Sequence, residues 1–188
     1  HEPRMQPNFT MNFELTEEHL MIRDTARSFA QNELLPGVIQ RDNEQKFPTD
    51  GVKKMAELGF LGMMTSPKYL GGGMDTVSYV LAMEEISKYD AYSAVIMSVN
   101  NSLVCWGIEK YGTEDQKIKY LTRLASGEVI GAFCLSEPEA GSDATSQKTT
   151  ALDMGDHYLL NGTKNWITNG SSASIYLVIA QTDVSKGH

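Results

Sequence analysis

Apolar residues recur at helical spacing through the first two-thirds of the chain and gather into short runs in the last third. Ile22, Ala26, Phe29 and Ala30 form one stripe. Thr16 stands before it as a helix cap, and Glu17 and Glu18 fall in the first turn, where carboxylates meet the positive end of the helix dipole. Pro36 stops the run. A second helix is predicted from near Thr49, burying Val52, Met55 and Ala56 and ending at Gly59. A glycine-rich loop, 67–73, follows. The spacing predicts a third helix over 75–88, with Val77, Val80, Leu81 and Glu84 on one stripe. A fourth over 91–111 carries Val95, Ile96, Val99, Leu103 and Val104 and is apolar on most faces, which implies burial between other helices. A fifth opens on a capping-box pair, Thr113 and Gln116, turns Ile118, Leu121 and Ala125 inward, and ends at Gly127.

The period then changes. Runs at 129–135, 149–152, 158–161 and 175–180 are rich in strand formers and separated by turn signals, among them Asp153-Met154-Gly155-Asp156 and Asn161-Gly162. The second of these predicts a hairpin around Asn161-Gly162. Helices first and strands second indicate an α+β chain of two domains rather than an alternating α/β fold. The expected division is an all-α helical domain over 12–127 and the first part of a mainly antiparallel β domain over 128–188. Residues 1–11 read as a tag or a disordered start, with Met5 or Met11 as candidate initiators.

Composition narrows the function. The chain has 188 residues, 41% of them hydrophobic, and a net charge of −8 spread over both halves. That is globular composition, and its acidity disfavours nucleic acid and anionic membrane as partners, because such a surface repels phosphates. No run approaches the length of a membrane-spanning helix. The polar N-terminus has no secretory leader, so the expected location is the cytoplasm, or the mitochondrial matrix if the source is eukaryotic. Cys105 and Cys134 lie in apolar runs and read as small core residues of a reducing compartment. No two of the four histidines have metal-ligand spacing, so no metal site is expected. Gly71-Gly72-Gly73 lacks the spacing and the following Lys-Ser/Thr of a phosphate loop and reads as a flexible interhelical connection. Glu84 and Glu85 read as solvated or structural.

Two segments carry candidate chemistry. In Phe133-Cys-Leu-Ser-Glu-Pro-Glu-Ala-Gly-Ser-Asp143 an apolar strand breaks into a turn bearing two hydroxyls, Ser136 and Ser142, and the permissive Gly141. Strand-end amides and a hydroxyl suit the acceptors of a flat polar ring, although the residue types alone favour an ordinary Asp/Ser/Gly turn. In Lys164-Asn-Trp-Ile-Thr-Asn-Gly170 an indole and a hydroxyl stand two positions apart, on one face if the segment is a strand; the alternative is a core Trp before a turn.

Together these segments resemble the acyl-CoA dehydrogenase family. Residues 134–143 match its flavin-binding motif and Trp166-Ile-Thr168-Asn-Gly its second flavin contact. Phe60-Leu-Gly62, the glycine-rich loop and Tyr111-Gly-Thr-Glu-Asp-Gln116 fit its helical start, and the stretch 95–103 looks most like the short-chain (butyryl-CoA) members. The resemblance implies FAD as cofactor, with Phe133, Leu135, Ser136, Gly141, Ser142, Trp166, Ile167 and Thr168 along it. Ser136 and the nearby backbone would meet the flavin pyrimidine edge or ribityl chain, Trp166 would pack on the ring, and Thr168 would lie near N5. Ser142 would also touch the pantetheine arm of an acyl-CoA substrate, and Leu103 would wall the acyl pocket. The reaction implied is α,β-dehydrogenation of a short-chain acyl-CoA thioester, with electrons passing to an electron-transfer flavoprotein and the full-length protein a homotetramer. No catalytic residue is expected within this chain, since the family's catalytic Glu lies in a C-terminal helical bundle; the expectation is a fragment of a roughly doubled chain, inactive alone. An acyl-CoA or nitroalkane oxidase of the same fold, and a non-catalytic helical binding module, are the competing readings.

Overall fold

The structure, a computed structural model, describes residues 12–186. The expectation for residues 1–11 lies outside them. Helix α1, Glu17–Phe29, starts on a capping box in which the Thr16 hydroxyl accepts the amide of His19 and the His19 ring accepts that of Thr16. It runs on into wider π-helical turns at Ala30–Leu34, and all four residues of the expected stripe are buried. A short helix that the pattern does not announce, α2 at Val38–Asn43, is tied down by Arg41, which donates to the carbonyls of Leu34 and Pro36 and to Asp90. Helix α3, Thr49–Glu57, ends at Gly59 as expected, in the left-handed conformation that glycine adopts freely.

Helix α4, Thr76–Ser87, is capped by the Asp75 carboxylate on the Ser78 amide. Its buried face departs from expectation. Ser78, Tyr79, Ala82, Glu85 and Ile86 face inward, whereas Val77 and Val80 are about half exposed. A helix apolar nearly all round does not announce which face is inside; here the choice is set by α1, whose Arg27 pairs with the buried Glu85. Glu85 is thus structural and Glu84 exposed.

The long helix over 91–111 forms as α5, Ala91–Ser98, then π-helical turns at Val99–Cys105, then α6, Trp106–Tyr111. The widening has a local cause. Asn101 Nδ2 donates to the Met97 carbonyl and the Ser102 hydroxyl to that of Ser98, so side chains occupy acceptors of the ordinary helical ladder. Ile96 and Val104 are fully buried, but Val95 and Leu103 are not. The last helical stretch comprises α7, Glu114–Gln116, wide turns at Lys117–Leu121, and α8, Thr122–Ala125; its Thr113 capping box forms, Leu121 and Ala125 point inward, and Ile118 is exposed. The glycine-rich loop is pinned rather than flexible: the amides of Gly72, Gly73 and Met74 donate to the carbonyls of Gly62, Thr65 and Met63.

Among the described residues the β part holds two small sheets. Strand β1, Gly131–Cys134, pairs in parallel with β4, Ile175–Val178. Strands β2, Thr150–Asp153, and β3, Tyr158–Asn161, form an antiparallel hairpin. Its turn lies at 154–157, where the Met154 amide donates to the His157 carbonyl, and not at Asn161-Gly162. Gly162 instead has φ +155 and leads the chain past Thr149, where a Cβ would lie 2.3 Å from the Thr149 hydroxyl. The helical domain followed by the opening of a β domain agrees with the α+β expectation. No helix among the described residues is long and apolar enough to cross a membrane. Both cysteines are free and buried, as core residues.

Candidate functional site

The two motif segments meet at the end of β1. The carbonyls of Ile130 and Cys134 accept the amides of Ser174 and Ile179, on the β4 side. In a parallel ladder, alternate residues of a strand bond to the same neighbour, so Gly131, Phe133 and Leu135 turn their backbone groups to the opposite edge. Side chains bond two of these. Asn169 Nδ2 donates to the Gly131 carbonyl at 3.0 Å and Lys164 Nζ to the Leu135 carbonyl at 2.9 Å. The Asn165 amide donates to the Ser136 carbonyl at 2.8 Å. Residues 164–169 therefore lie alongside β1, held at both ends.

Lys164 is the centre of this junction. Besides Leu135, its ammonium donates to Glu137 Oε1 at 2.7 Å and Gln147 Oε1 at 3.2 Å. Glu137 is buried. Burial alone would raise its pKa, but the amides of Lys148 and Thr149 and the Lys164 ammonium all donate to the carboxylate and hold it at about 2. Glu137 is consequently a fixed anion and a poor proton acceptor.

The structure brings only part of the expected set together. Phe133 lies in β1, half-buried against the core formed by Val104, Cys105, Ile108, Leu121 and Leu124. Leu135 and Ser136 follow at the strand end, half-buried. Ile167 and Thr168 are half-buried in the facing segment. That segment is irregular, not a strand. Trp166 has φ +59 and is 94% exposed, so it is neither a core residue nor aligned with Thr168 on a strand face. The amides and hydroxyls of Ser136 and Thr168 and the indole N–H of Trp166 have no hydrogen-bond partner among the described residues. Gly141 and Ser142 are exposed, beyond the small bridge between Glu137 and Ala140. Leu103 projects from the π-helical turns, 39% exposed. Neither Ser142 nor Leu103 bonds to the junction among the described residues.

The residues that build the junction, Lys164, Asn165, Asn169 and Glu137, are not singled out as supports by the sequence pattern. One signal was available: a Lys and a Glu beside apolar runs must be paired if they are buried.

Comparison with known proteins supplies the remaining context. The family description "Acyl-CoA dehydrogenase, N-terminal domain" matches residues 16–128, and "Acyl-CoA dehydrogenase, middle domain" matches residues 132–188. The chain is 45% identical over 177 residues to a short-chain specific acyl-CoA dehydrogenase of Clostridium acetobutylicum, covering 94% of this chain and 47% of the relative. Butyryl-CoA dehydrogenase from Megasphaera elsdenii superposes with a TM-score of 0.89 at 42% identity, over 94% of this chain and 47% of that one. A glutaryl-CoA dehydrogenase from Mycobacterium smegmatis, in complex with FADH2, superposes with a TM-score of 0.86 at 39% identity, over 90% of this chain and 44% of that one. The chain thus spans about half the length of the relatives it matches.

Proposed function

Because this chain belongs to the acyl-CoA dehydrogenase family, we propose that it is the flavin-holding part of an FAD-dependent enzyme that dehydrogenates short-chain acyl-CoA thioesters between the α and β carbons. The observation that carries the reading is the junction at the end of β1. It presents unpartnered amide and hydroxyl donors on Ser136 and Thr168 from two segments bonded to each other. The flavin edge is rich in acceptors, so this donor set fits it. The exposed indole of Trp166 offers a flat apolar face beside them. When bound, FAD supplies the hydride acceptor; the protein supplies geometry and field.

In this reading Ser136 orients the pyrimidine edge or ribityl chain, Thr168 donates near N5, and Trp166 covers the ring. Phe133, Leu135, Gly141 and Ile167 line the cofactor. Ser142 meets the cofactor and the pantetheine arm of the thioester, and Leu103 walls the acyl chain. Glu137 takes no part in proton abstraction, because it is committed to Lys164 and two backbone amides. The electron acceptor would be an electron-transfer flavoprotein, and the working enzyme a homotetramer. The short-chain preference rests on the likeness to the Clostridium and Megasphaera proteins.

The test uses the protein that contains this chain. It should carry FAD, and anaerobic butyryl-CoA should bleach the visible flavin band, far faster than a long-chain thioester does. A protein that takes up no FAD, or a flavin left oxidised by every acyl-CoA, would refute the proposal.

A further inference from the structure

The geometry points to Lys164 as a positioning residue for the flavin, acting through the peptide that joins Leu135 to Ser136. This inference rests on the flavin reading above and deepens it. Ser136 sits between two peptide units, and both are fixed from the facing segment: Lys164 Nζ holds the Leu135 carbonyl and the neighbouring Asn165 amide holds the Ser136 carbonyl. A trans peptide sets its C=O and N–H on opposite sides. Anchoring the Leu135 oxygen on Lys164 therefore turns the Ser136 N–H away from Lys164, into the position where it has no protein acceptor among the described residues.

Two features make the ammonium suited to this work. Its three N–H bonds match three acceptors on different parts of the chain: the Leu135 carbonyl, the Glu137 carboxylate and the Gln147 amide oxygen. It is also almost wholly enclosed, with 11% of its side chain exposed against 6% for Glu137, so water does not compete for these bonds. Glu137 is itself immobilised by the amides of Lys148 and Thr149. The chain of constraint thus runs from Lys148 and Thr149 through Glu137 and Lys164 to the Ser136 amide. A guanidinium is planar and longer, and keeps the charge without the same three directions.

The experiment compares wild type, Lys164→Arg and the double variant Lys164→Met/Glu137→Gln, each within the protein that contains this chain. The double variant removes the ammonium without leaving a full buried carboxylate charge behind. Apoprotein is first titrated with FAD by flavin fluorescence, and the visible spectrum of each complex is recorded. Amide hydrogen exchange at Asn165 is measured without cofactor. The expected result is roughly tenfold weaker FAD binding in the double variant, the worth of one misdirected amide hydrogen bond. The flavin band should shift and Asn165 exchange should quicken, while helical circular dichroism stays unchanged. Lys164→Arg should fold, keep its ion pair, and still show the shifted band. Wild-type affinity and spectrum in a folded double variant, or full restoration by Arg, would overturn the positioning role. If wild type takes up no FAD, the flavin reading itself falls, and this inference with it. If the double variant does not fold, the Arg variant alone decides.

Discussion

Asn100 Oδ1 accepts the amide of Gly131 at 2.9 Å, so a side chain in the middle of the long helix holds the first residue of β1. The same side chain donates to the carbonyls of Leu61 at 2.8 Å and Leu124 at 3.2 Å. One fully buried amide thereby joins three parts of the helical domain to the strand that leads into the candidate site. Val104 packs where a Cβ on Gly131 would be, 2.6 Å away.

Replacement of Asn100 by Leu should destabilise the protein by about 2 kcal/mol or more, because the Gly131 amide and the Leu61 carbonyl lose their partner at once, while the Leu124 carbonyl keeps the amide of Gly127. Urea unfolding followed by circular dichroism measures this. A change in midpoint equivalent to well under 1 kcal/mol would show that the groups find other partners, so that the amide is dispensable.

Acid should unfold the helical domain through its paired carboxylates. The Arg27 hydrogen bonds, helped by Lys88, hold Glu85 at about 2 against an ordinary value of 4.5. A carboxylate with a depressed folded pKa stabilises the fold above its unfolded value, and that contribution is lost as pH falls through the folded one. The loss therefore runs from about 4.5 down to about 2. Arg27→Met should raise the acid midpoint and lower stability near neutrality, an effect moderated by solvent because the Arg27 side chain is partly exposed. Ellipticity against pH for both proteins gives the comparison; coincident curves would dismiss the pair as a stabilising element.

Gly162→Ala should destabilise by about 2 kcal/mol, since φ +155 is strained for alanine and its Cβ would meet the Thr149 hydroxyl at 2.3 Å. Gly155→Ala is the control: φ is +97 there, but nothing lies within 4 Å of the new carbon. Thermal melts of the two variants should differ, with the Gly162 variant lower.

Native protein should resist thiol alkylation. Burial pushes the Cys105 thiol up to about 12 and raises that of Cys134, so neither supplies much thiolate. Mass spectrometry after iodoacetamide should find neither residue modified when folded and both modified in denaturant. Fast labelling of Cys134 in the native state would mean that the end of β1 opens readily.

On the flavin reading proposed above, Thr168→Ala in the protein that contains this chain should slow flavin reduction by acyl-CoA about tenfold or more, while Thr168→Ser retains most of the rate. Ser142→Ala should weaken thioester binding more than FAD retention. Stopped-flow bleaching and FAD titration separate the two effects.

Much of the fold was legible because helix caps and periodic stripes are local. Thr16 and Thr113 cap where their sequence positions indicate, and the stripe from Ile22 to Ala30 is buried as it reads. The failures have separate physical causes. The buried face of α4 follows from the Arg27–Glu85 pair, distant in the chain, whereas the hairpin turn falls at the other local turn signal, where Asp153 accepts the Gly155 amide, and Gly162 is left to pass Thr149. The candidate site divides the same way. Its candidate cofactor-facing residues, Ser136, Trp166 and Thr168, stand in recognisable motifs. The supports, Lys164 and Asn169, gain meaning only once β1 lies beside them.

The parallel pairing of β1 with β4 also orders assembly. The β2–β3 hairpin closes over a few residues and can form early, whereas β1 reaches β4 only after the whole hairpin and the segment 164–170 have been looped out between them. Asn165 and Asn169 take their places along β1 through closures that also loop out the whole hairpin. Loop-closure entropy therefore favours the hairpin ahead of the junction, and the Asn100 side chain offers the Gly131 amide a partner on the helical side as β1 closes.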